Sequence, residues 1–415
     1  MADAKSDERS TPSAEVPQPQ VEAPGNRWPQ WRGPHRDGRV EWLPKSLPDI
    51  PLLQWISPLP SAGIGGLAAD TGIVVVGGRD KEETSDLFLA IDPTTGETLW
   101  QVQYPAAGEL DYGNSPRATP LIHGDRVYTL GAMGHLSAID RKNGTLEWQH
   151  DLAKTYGTPE LDWGIAGSPI IVGNLLIVQP GGVRGSIVAF DTMTGKEVWK
   201  SGNAPPGHSS MIAAPFGKET QVIGYDKTSL GGWNAKTGER LWTMTPRVKG
   251  DFNVPTPILY QGELILSTEN NGTRLYAFDK AGLLDPQPQA EFEDLSPDTH
   301  TPVVQGKALY GVCNGLHGLE IEKTESGKKF QSTWIEELPE FYKYASLVAS
   351  KDRLLCLTLD CQLLLIDPAA NERIVDRWQL VSDRTETLSH PAFLGRHIFV
   401  RLGQELHCYS LEELP

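Results

Sequence analysis

A chain of 415 residues with a formal charge of -16 and 39% hydrophobic content is long enough for two or three average domains, or for one repeat architecture with a continuous core. No run approaches the roughly 18 apolar residues of a membrane helix, so no transmembrane segment is expected. The acidic balance, with no Lys/Arg-rich stretch, sets the chain against phosphate backbones and excludes nucleic acid as a partner.

Residues 1–25, MADAKSDERSTPSAEVPQPQVEAPG, are rich in Pro, Ser, Ala and charge and hold almost nothing that could enter a core, which predicts a disordered tail. The tail lacks the apolar centre of a secretory signal and any lipid-attachment cysteine, so the chain is expected either to stay inside the cell or to start after a removed signal. Residues 26–50 read as a docking segment carrying WPQWRGPHRDG, Trp28 to Gly38. Its preferred reading is structural. Trp28 and Trp31 fold onto the body and lock the segment ahead of the first strand, with Arg32 stacking on an aromatic face. The alternative is an exposed recognition patch, which would invite aggregation.

From residue 51 the chain repeats itself. AIDPTTGETLW ends at Trp100, AIDRKNGTLEW at Trp148, AFDTMTGKEVW at Trp199 and GWNAKTGERLW at Trp242, separated by 48, 51 and 43 residues. That period belongs to propellers and solenoids. Between the copies lie short alternating or β-branched runs broken by Gly, Asn and Asp, with no helical period, so each unit reads as a four-stranded antiparallel sheet.

Within the phrase, Ala90, Ala138 and Ala189 end a strand. Asp92, Asp140 and Asp191 can bond local N–H groups, and Gly96, Gly144, Gly195 and Gly238 supply the positive φ of a tight reversal. The tryptophan then lies on the outermost strand and plugs the gap to the neighbouring sheet. Worn copies follow. LYAFDKAGLLD keeps Ala277 and Asp279 without a tryptophan, GLEIEKTESGKKF keeps Gly327, and LLLIDPAANERIVDRW keeps Asp367 with Trp378 displaced.

The last unit stops before its outer strand, and PLLQWISPL places Trp55 one period ahead of Trp100. The units span 62–105, 113–152, 164–202, 209–246, 252–293, 299–335, 343–380 and 388–409, the last completed by 51–58. The expectation is an all-β, eight-bladed propeller over 51–415, a monomeric ring closed by its N-terminal strand. Cys313, Cys356, Cys361 and Cys408 form no CxxC or metal spacing and read as free buried thiols, with a Cys356–Cys361 bridge across a hairpin left open.

The phrase Ala-x-Asp-x-x-Thr-Gly-x-x-x-Trp resembles the tryptophan-docking motif of the pyrroloquinoline-quinone (PQQ) propeller superfamily, which includes quinoprotein alcohol dehydrogenases and BamB-like assembly lipoproteins. The first and third copies match at every fixed position. The second has Asn143 for Thr, and the fourth Gly232 for Ala and Asn234 for Asp. WPQWRGPHRDG is similar to the opening of PQQ-like propeller proteins of planctomycetes. For the dehydrogenases the resemblance implies PQQ on the propeller axis, Ca²⁺ or a lanthanide held by Glu, Asn and Asp oxygens, and a ring of adjacent cysteines. This chain has no adjacent cysteines and no matching ligand set, so no cofactor and no metal are expected, with PQQ and Ca²⁺ as the alternative.

In a propeller the segments joining each outer strand to the next inner strand line the channel mouth. Here they carry Tyr112, Arg117, Trp163, His208, Ser209, Asn253 and His300, which either satisfy backbone groups near the axis or bind a ligand or extended peptide. Arg117 is the most pointed, because a charge near the axis needs a carboxylate, carbonyls or an anion beside it. The expected function is a non-catalytic scaffold for protein partners, BamB-like in plan and, by resemblance, associated with the cell envelope. A PQQ-dependent oxidoreductase or small-ligand sensor is the alternative.

Overall fold

The computed structural model describes residues 25–412 apart from residues 251, 252, 326 and 383, so the expected tail lies almost wholly outside the described residues. Among the described residues the strands form eight four-stranded antiparallel sheets. In chain order these are blades I to VIII, spanning 68–105, 121–151, 170–201, 212–244, 258–292, 303–336, 345–379 and 392–410. The outer strand of blade VIII is Leu52–Pro58, paired antiparallel with Glu405–Ser410, so the first strand closes the ring. A one-turn helix, Leu152–Tyr156, caps the outer strand of blade II.

The repeated phrase folds as its chemistry dictates. Asp92 Oδ1 accepts from the N–H groups of Thr94 and Thr95, Asp140 from Lys142 and Asn143, and Asn234 from Lys236 and Thr237. Asn234 does the work of Asp because the turn uses only a side-chain oxygen. Gly96, Gly144, Gly195 and Gly238 adopt φ between +67° and +76°.

Each glycine is also the seat of the preceding blade's tryptophan. A Cβ on Gly96 would lie 2.7 Å from the Trp55 ring, on Gly144 2.8 Å from Trp100, on Gly195 2.7 Å from Trp148 and on Gly238 2.4 Å from Trp199. The indoles of Trp55, Trp100 and Trp199 donate to the carbonyls of Pro93, Arg141 and Ala235 in those same turns. A turn therefore serves two blades, and its glycine answers both to φ and to space. In the fourth copy Gly232 replaces alanine because a Cβ there would meet Trp242 Nε1 at 2.2 Å.

The worn copies use other devices. The blade V turn receives Trp242 of blade IV on Phe278, edge-on at 5.9 Å, with Phe278 stacked on Phe216 at 3.8 Å. In place of the missing blade V tryptophan, Phe292 packs against blade VI. Blade VI keeps a docking tryptophan that the motif search overlooked. Trp334 pairs with Gly318 beside a bulge, as Trp100 pairs with Ala90, and an extended hairpin separates the two. Trp378 is displaced as expected. It pairs with Leu363, two residues from the motif position, and donates to the Pro48 carbonyl at 2.7 Å, so the N-terminal segment stands in for the turn that blade VIII lacks.

All four cysteines are free, Cys313 half-buried and the others buried, and the Cys356–Cys361 bridge does not form. Cys361 Sγ instead faces the Thr385 carbonyl at 3.2 Å.

The segment before the first strand is locked by Trp28 and Trp31, as the structural reading expects, Trp28 packing on Phe393 and Trp31 on His390. Residues 26–42 lie inside the ring, however, and not on its outer surface. They enter the ring's central channel from the face of the inner hairpins, reach the opposite mouth at Pro34 and His35, and return. Trp28 and Ala69 of blade I exchange backbone hydrogen bonds at 2.9 and 2.8 Å, and Ile122 of blade II donates to Pro29 at 2.7 Å. Arg36 donates to Ser168 and Pro169 of blade III and to Met211 of blade IV. Trp31 Nε1 donates to Thr256 Oγ1 of blade V, and Arg32 to the Thr301 and Pro302 carbonyls of blade VI. Gly38 and Val40 bond Ala349 of blade VII, and Asn26 bonds Gly395 of blade VIII. The loop thus holds a hydrogen bond to every blade.

Its neck is tied by Asn26, whose Oδ1 accepts from Glu41 and Trp42 and whose Nδ2 donates to the Trp42 carbonyl. The expected stacking of Arg32 on an aromatic face is corrected, because its guanidinium is spent on three carbonyls, those of Thr301, Pro302 and Asp37.

Arg32 and Arg36 sit at φ +56° and +58°, a left-handed conformation that costs a non-glycine residue about 1–2 kcal/mol. Hydrogen bonds to a charged group contribute about 1.5–3 kcal/mol each, so the bonds outweigh the strain. Around Arg32 lie two buried histidines. His300 Nδ1 bonds the Ala345 carbonyl at 2.7 Å, and His390 packs edge-on to Trp31 at 4.4 Å. Burial, reinforced by the Arg32 charge, pushes both imidazoles down to about 3.

Two outcomes are expected. Gly72, at φ +76° with nothing within 4 Å of a built Cβ, should lose about 1 kcal/mol as Gly72→Ala from strain alone. Gly238→Ala should lose at least about 1 kcal/mol more, because the Trp199 ring must also move; urea midpoints measure both. Unfolded histidine titrates near 6.5, so between pH 6.5 and about 3 the unfolded chain binds more protons at His300 and His390. The stability these neutral imidazoles confer is complete above pH 6.5 and falls as pH drops, with a slope approaching about 2.7 kcal/mol per pH unit for the two. Urea midpoints between pH 6.5 and 5 should show this decline, and His390→Gln should make it shallower.

Candidate functional site at the ring mouth

The mouth of the ring opposite the loop's neck is built from the connections between each outer strand and the next inner strand. Over blades I to IV these connections interlock. The Asp111 N–H donates to the Asp162 carbonyl at 2.9 Å, joining the two longest connections. Arg117 Nη2 donates to the carbonyls of Asp111 and Gly113, so the charge near the axis is met by carbonyls. Burial holds the Arg117 guanidinium below its ordinary range, partly offset by Asp111.

Arg117 therefore sets the shape of the loop bearing Tyr112. Tyr112 is held at φ +57° and is 74% exposed. Such exposure of a large ring in a strained, braced loop marks a side chain presented outward.

Trp163 and His208 meet edge-on at 4.9 Å across the next two connections. Burial keeps the His208 imidazole below its usual range, with Arg117 and Lys227 adding to the effect and Asp162 opposing it. Tyr112, Arg117, Trp163 and His208 thus form one arc. Asn253, 7% exposed, is turned inward and spends its Nδ2 on the Asp226 carbonyl at 3.0 Å. Ser209 and His300 do not join the arc, being buried beneath the mouth at 0% and 4% exposure.

The reading from sequence missed the floor of this mouth, which the inserted loop supplies through Trp31, Pro34 and His35. Its one signal was a pair of arginines among the glycines and prolines of WPQWRGPHRDG.

The PQQ alternative is testable against the same geometry. The axis is filled by Trp28, Trp31, Arg32 and Arg36, and the polar groups gathered there are guanidinium, neutral imidazole, amide, hydroxyl and backbone carbonyl, with the single carboxylate of Asp37 acting on Arg32. A Ca²⁺-assisted quinone site needs several anionic oxygen ligands. Among the described residues no group of three or more His, Cys, Asp or Glu side chains is placed to hold a metal ion. The residues on the axis do not fit PQQ with Ca²⁺.

Comparison with known proteins agrees with the fold. Residues 52–183 and 183–310 match the family model described as outer membrane protein assembly factor BamB. Quinohemoprotein alcohol dehydrogenase ADH-IIG of Pseudomonas putida is 31% identical over 143 residues, which cover 32% of this chain and 19% of that protein. BamB of Burkholderia pseudomallei is 24% identical over 233 residues, 44% of this chain and 61% of that protein. The chain thus spans about a fifth of the dehydrogenase and under two thirds of the assembly factor.

Among solved structures, a europium-containing methanol dehydrogenase superposes with a TM-score of 0.64 at 13% identity, covering 94% of this chain and 99% of that one. BamB from Moraxella catarrhalis superposes at 0.51 with 16% identity, covering 88% and 99%. Identities this low show the fold alone. With its repeats matched over more than half their length, the chain belongs to the PQQ-like repeat family described as outer membrane protein assembly factor BamB.

Proposed function

We propose that the ring is a non-catalytic scaffold for protein partners, working through the mouth face and associated with the cell envelope as its BamB relatives are. The observation that carries this reading is the filled axis. A propeller whose channel is occupied by its own chain, bonded to all eight blades, keeps its unspent side chains on the faces and rim.

The mouth-side connections present Tyr112, Val248 and Tyr342 at 74%, 42% and 55% exposure, and the hairpin between the second and third strands of blade III presents Val183 at 64%. Aromatic and apolar side chains on a braced scaffold are the usual anchors of a protein interface. In this reading Tyr112 and the Trp163–His208 pair grip the partner. Arg117 is a positioning residue.

The catalytic alternative and the scaffold separate in one pair of experiments. Calorimetric titration of the full chain with PQQ and Ca²⁺ is expected to show no saturable heat, with any Kd weaker than about 1 mM; a Ca²⁺-dependent micromolar Kd would overturn the scaffold reading. A photo-crosslinking residue at position 112 is then expected to trap one discrete partner in the source cells, while the same residue at Leu146 on the rim traps none. Arg117→Ala should remove the crosslink while shifting Tm by no more than about 2 °C.

A further inference from the structure

The two arginines of the inserted loop occupy cages of an unusual kind. Arg36 donates from Nε to Met211 O at 2.7 Å, from Nη1 to Pro169 O at 2.8 Å and Gln30 Oε1 at 3.2 Å, and from Nη2 to Ser168 O at 3.1 Å. Each nitrogen of the guanidinium is engaged, every acceptor is neutral, and three of the four are backbone carbonyls at the head of the inner segments of blades III and IV. The residue is 4% exposed. Arg32 resembles this arrangement against blade VI through its two terminal nitrogens, with Thr301 O and Pro302 O each at 2.8 Å, while its Nε has no hydrogen-bond partner.

A buried cation is normally found with a carboxylate. Here the planar fork of a guanidinium, which an ammonium cannot reproduce, is matched to carbonyls that converging inner strands leave without a ladder partner. Both arginines adopt positive φ, where the backbone alone would favour glycine, so their side chains are what these positions require. Gly38 gives way to the same group, since a Cβ there would lie 2.6 Å from Arg32 Nη2.

We propose that the axial end of the ring is a guanidinium-binding site, occupied in cis by Arg32 and Arg36. Its ligand class is an alkylguanidinium, in this chain an arginine side chain delivered on a turn. The ring supplies three of the four acceptors around Arg36 and the loop supplies the fourth, Gln30 Oε1. The proposal stands apart from the scaffold reading, because it concerns what fills the axis and not what binds the mouth.

Chemical rescue tests it on the full chain. Arg36→Gly removes the guanidinium while suiting the local φ, and is expected to lower Tm by several degrees. Addition of ethylguanidinium at ~20 mM, far below the molar range in which denaturants act, is expected to restore at least half of the loss in a saturable way. Ethylammonium at the same concentration restores none, and the wild-type chain responds to neither. A wild-type Tm in Arg36→Gly would overturn the proposal, as would a loss that ethylguanidinium leaves unchanged. Should the variant be recovered unfolded, its refolding yield with and without ethylguanidinium is the readout. A rise with the guanidinium alone supports the site, and equal yields overturn it.

Discussion

Eight strands cannot converge on one axis without leaving backbone groups there that no further strand can pair, and everything distinctive in this ring follows from how those groups are satisfied. A sheet buries its ladder internally, but the heads of the inner segments face a channel too narrow for another sheet and too apolar to be left to water. This chain fills the channel with its own residues 26–42, running antiparallel to blade I on the way in and parallel to blade VII on the way out. Two guanidiniums cap the carbonyls that backbone pairing cannot reach. The histidines beside them are held neutral by the same dry, positively charged surroundings, while buried Tyr344 is held neutral by desolvation against the opposing pull of the Arg32 charge.

The rim obeys a second constraint, equally local. A four-stranded blade must cover its faces with its neighbours, and the tryptophan seated on the next blade's glycine turn makes that joint at blades VIII to I, I to II, II to III and III to IV. Where the motif decays, other groups support the joint: Phe278 stacked on Phe216 beneath Trp242 between blades IV and V, Phe292 packed on blade VI, Trp334 with Arg373 over its ring in blade VI, and the Pro48 carbonyl at blade VII. The N-terminal segment therefore fills the axis, replaces a missing turn, and supplies the last outer strand. Ring closure and channel filling are one structural act performed by residues 26–58.

The rim was legible in the sequence and the axis was not, for a physical reason. An Asp-x-x-Thr-Gly turn is made by groups two to four residues apart, and its tryptophan has one seat, so spacing alone revealed blades and closure. Arg36 instead bonds residues 132 to 175 positions away, and most of its acceptors are backbone carbonyls. A carbonyl has no side-chain identity, so nothing in the sequence around Ser168 or Met211 announces a guanidinium cage. The mouth residues divide the same way. Tyr112, Arg117, Trp163 and His208 were singled out because they cluster on connections. Ser209 and His300 were counted with them because composition does not reveal depth.

The account rests on the loop being an integral part of the core, and hydrogen exchange tests that most directly. The amides of Trp28, Gly38 and Val40 donate to Ala69, Arg32 and Ala349 inside the channel. They should exchange as slowly as those of the inner strands, by near-global unfolding. Exchange within seconds, at the rate of an exposed loop, while the strands stay protected would mean that the segment merely visits the channel, and the account of the axis would fail.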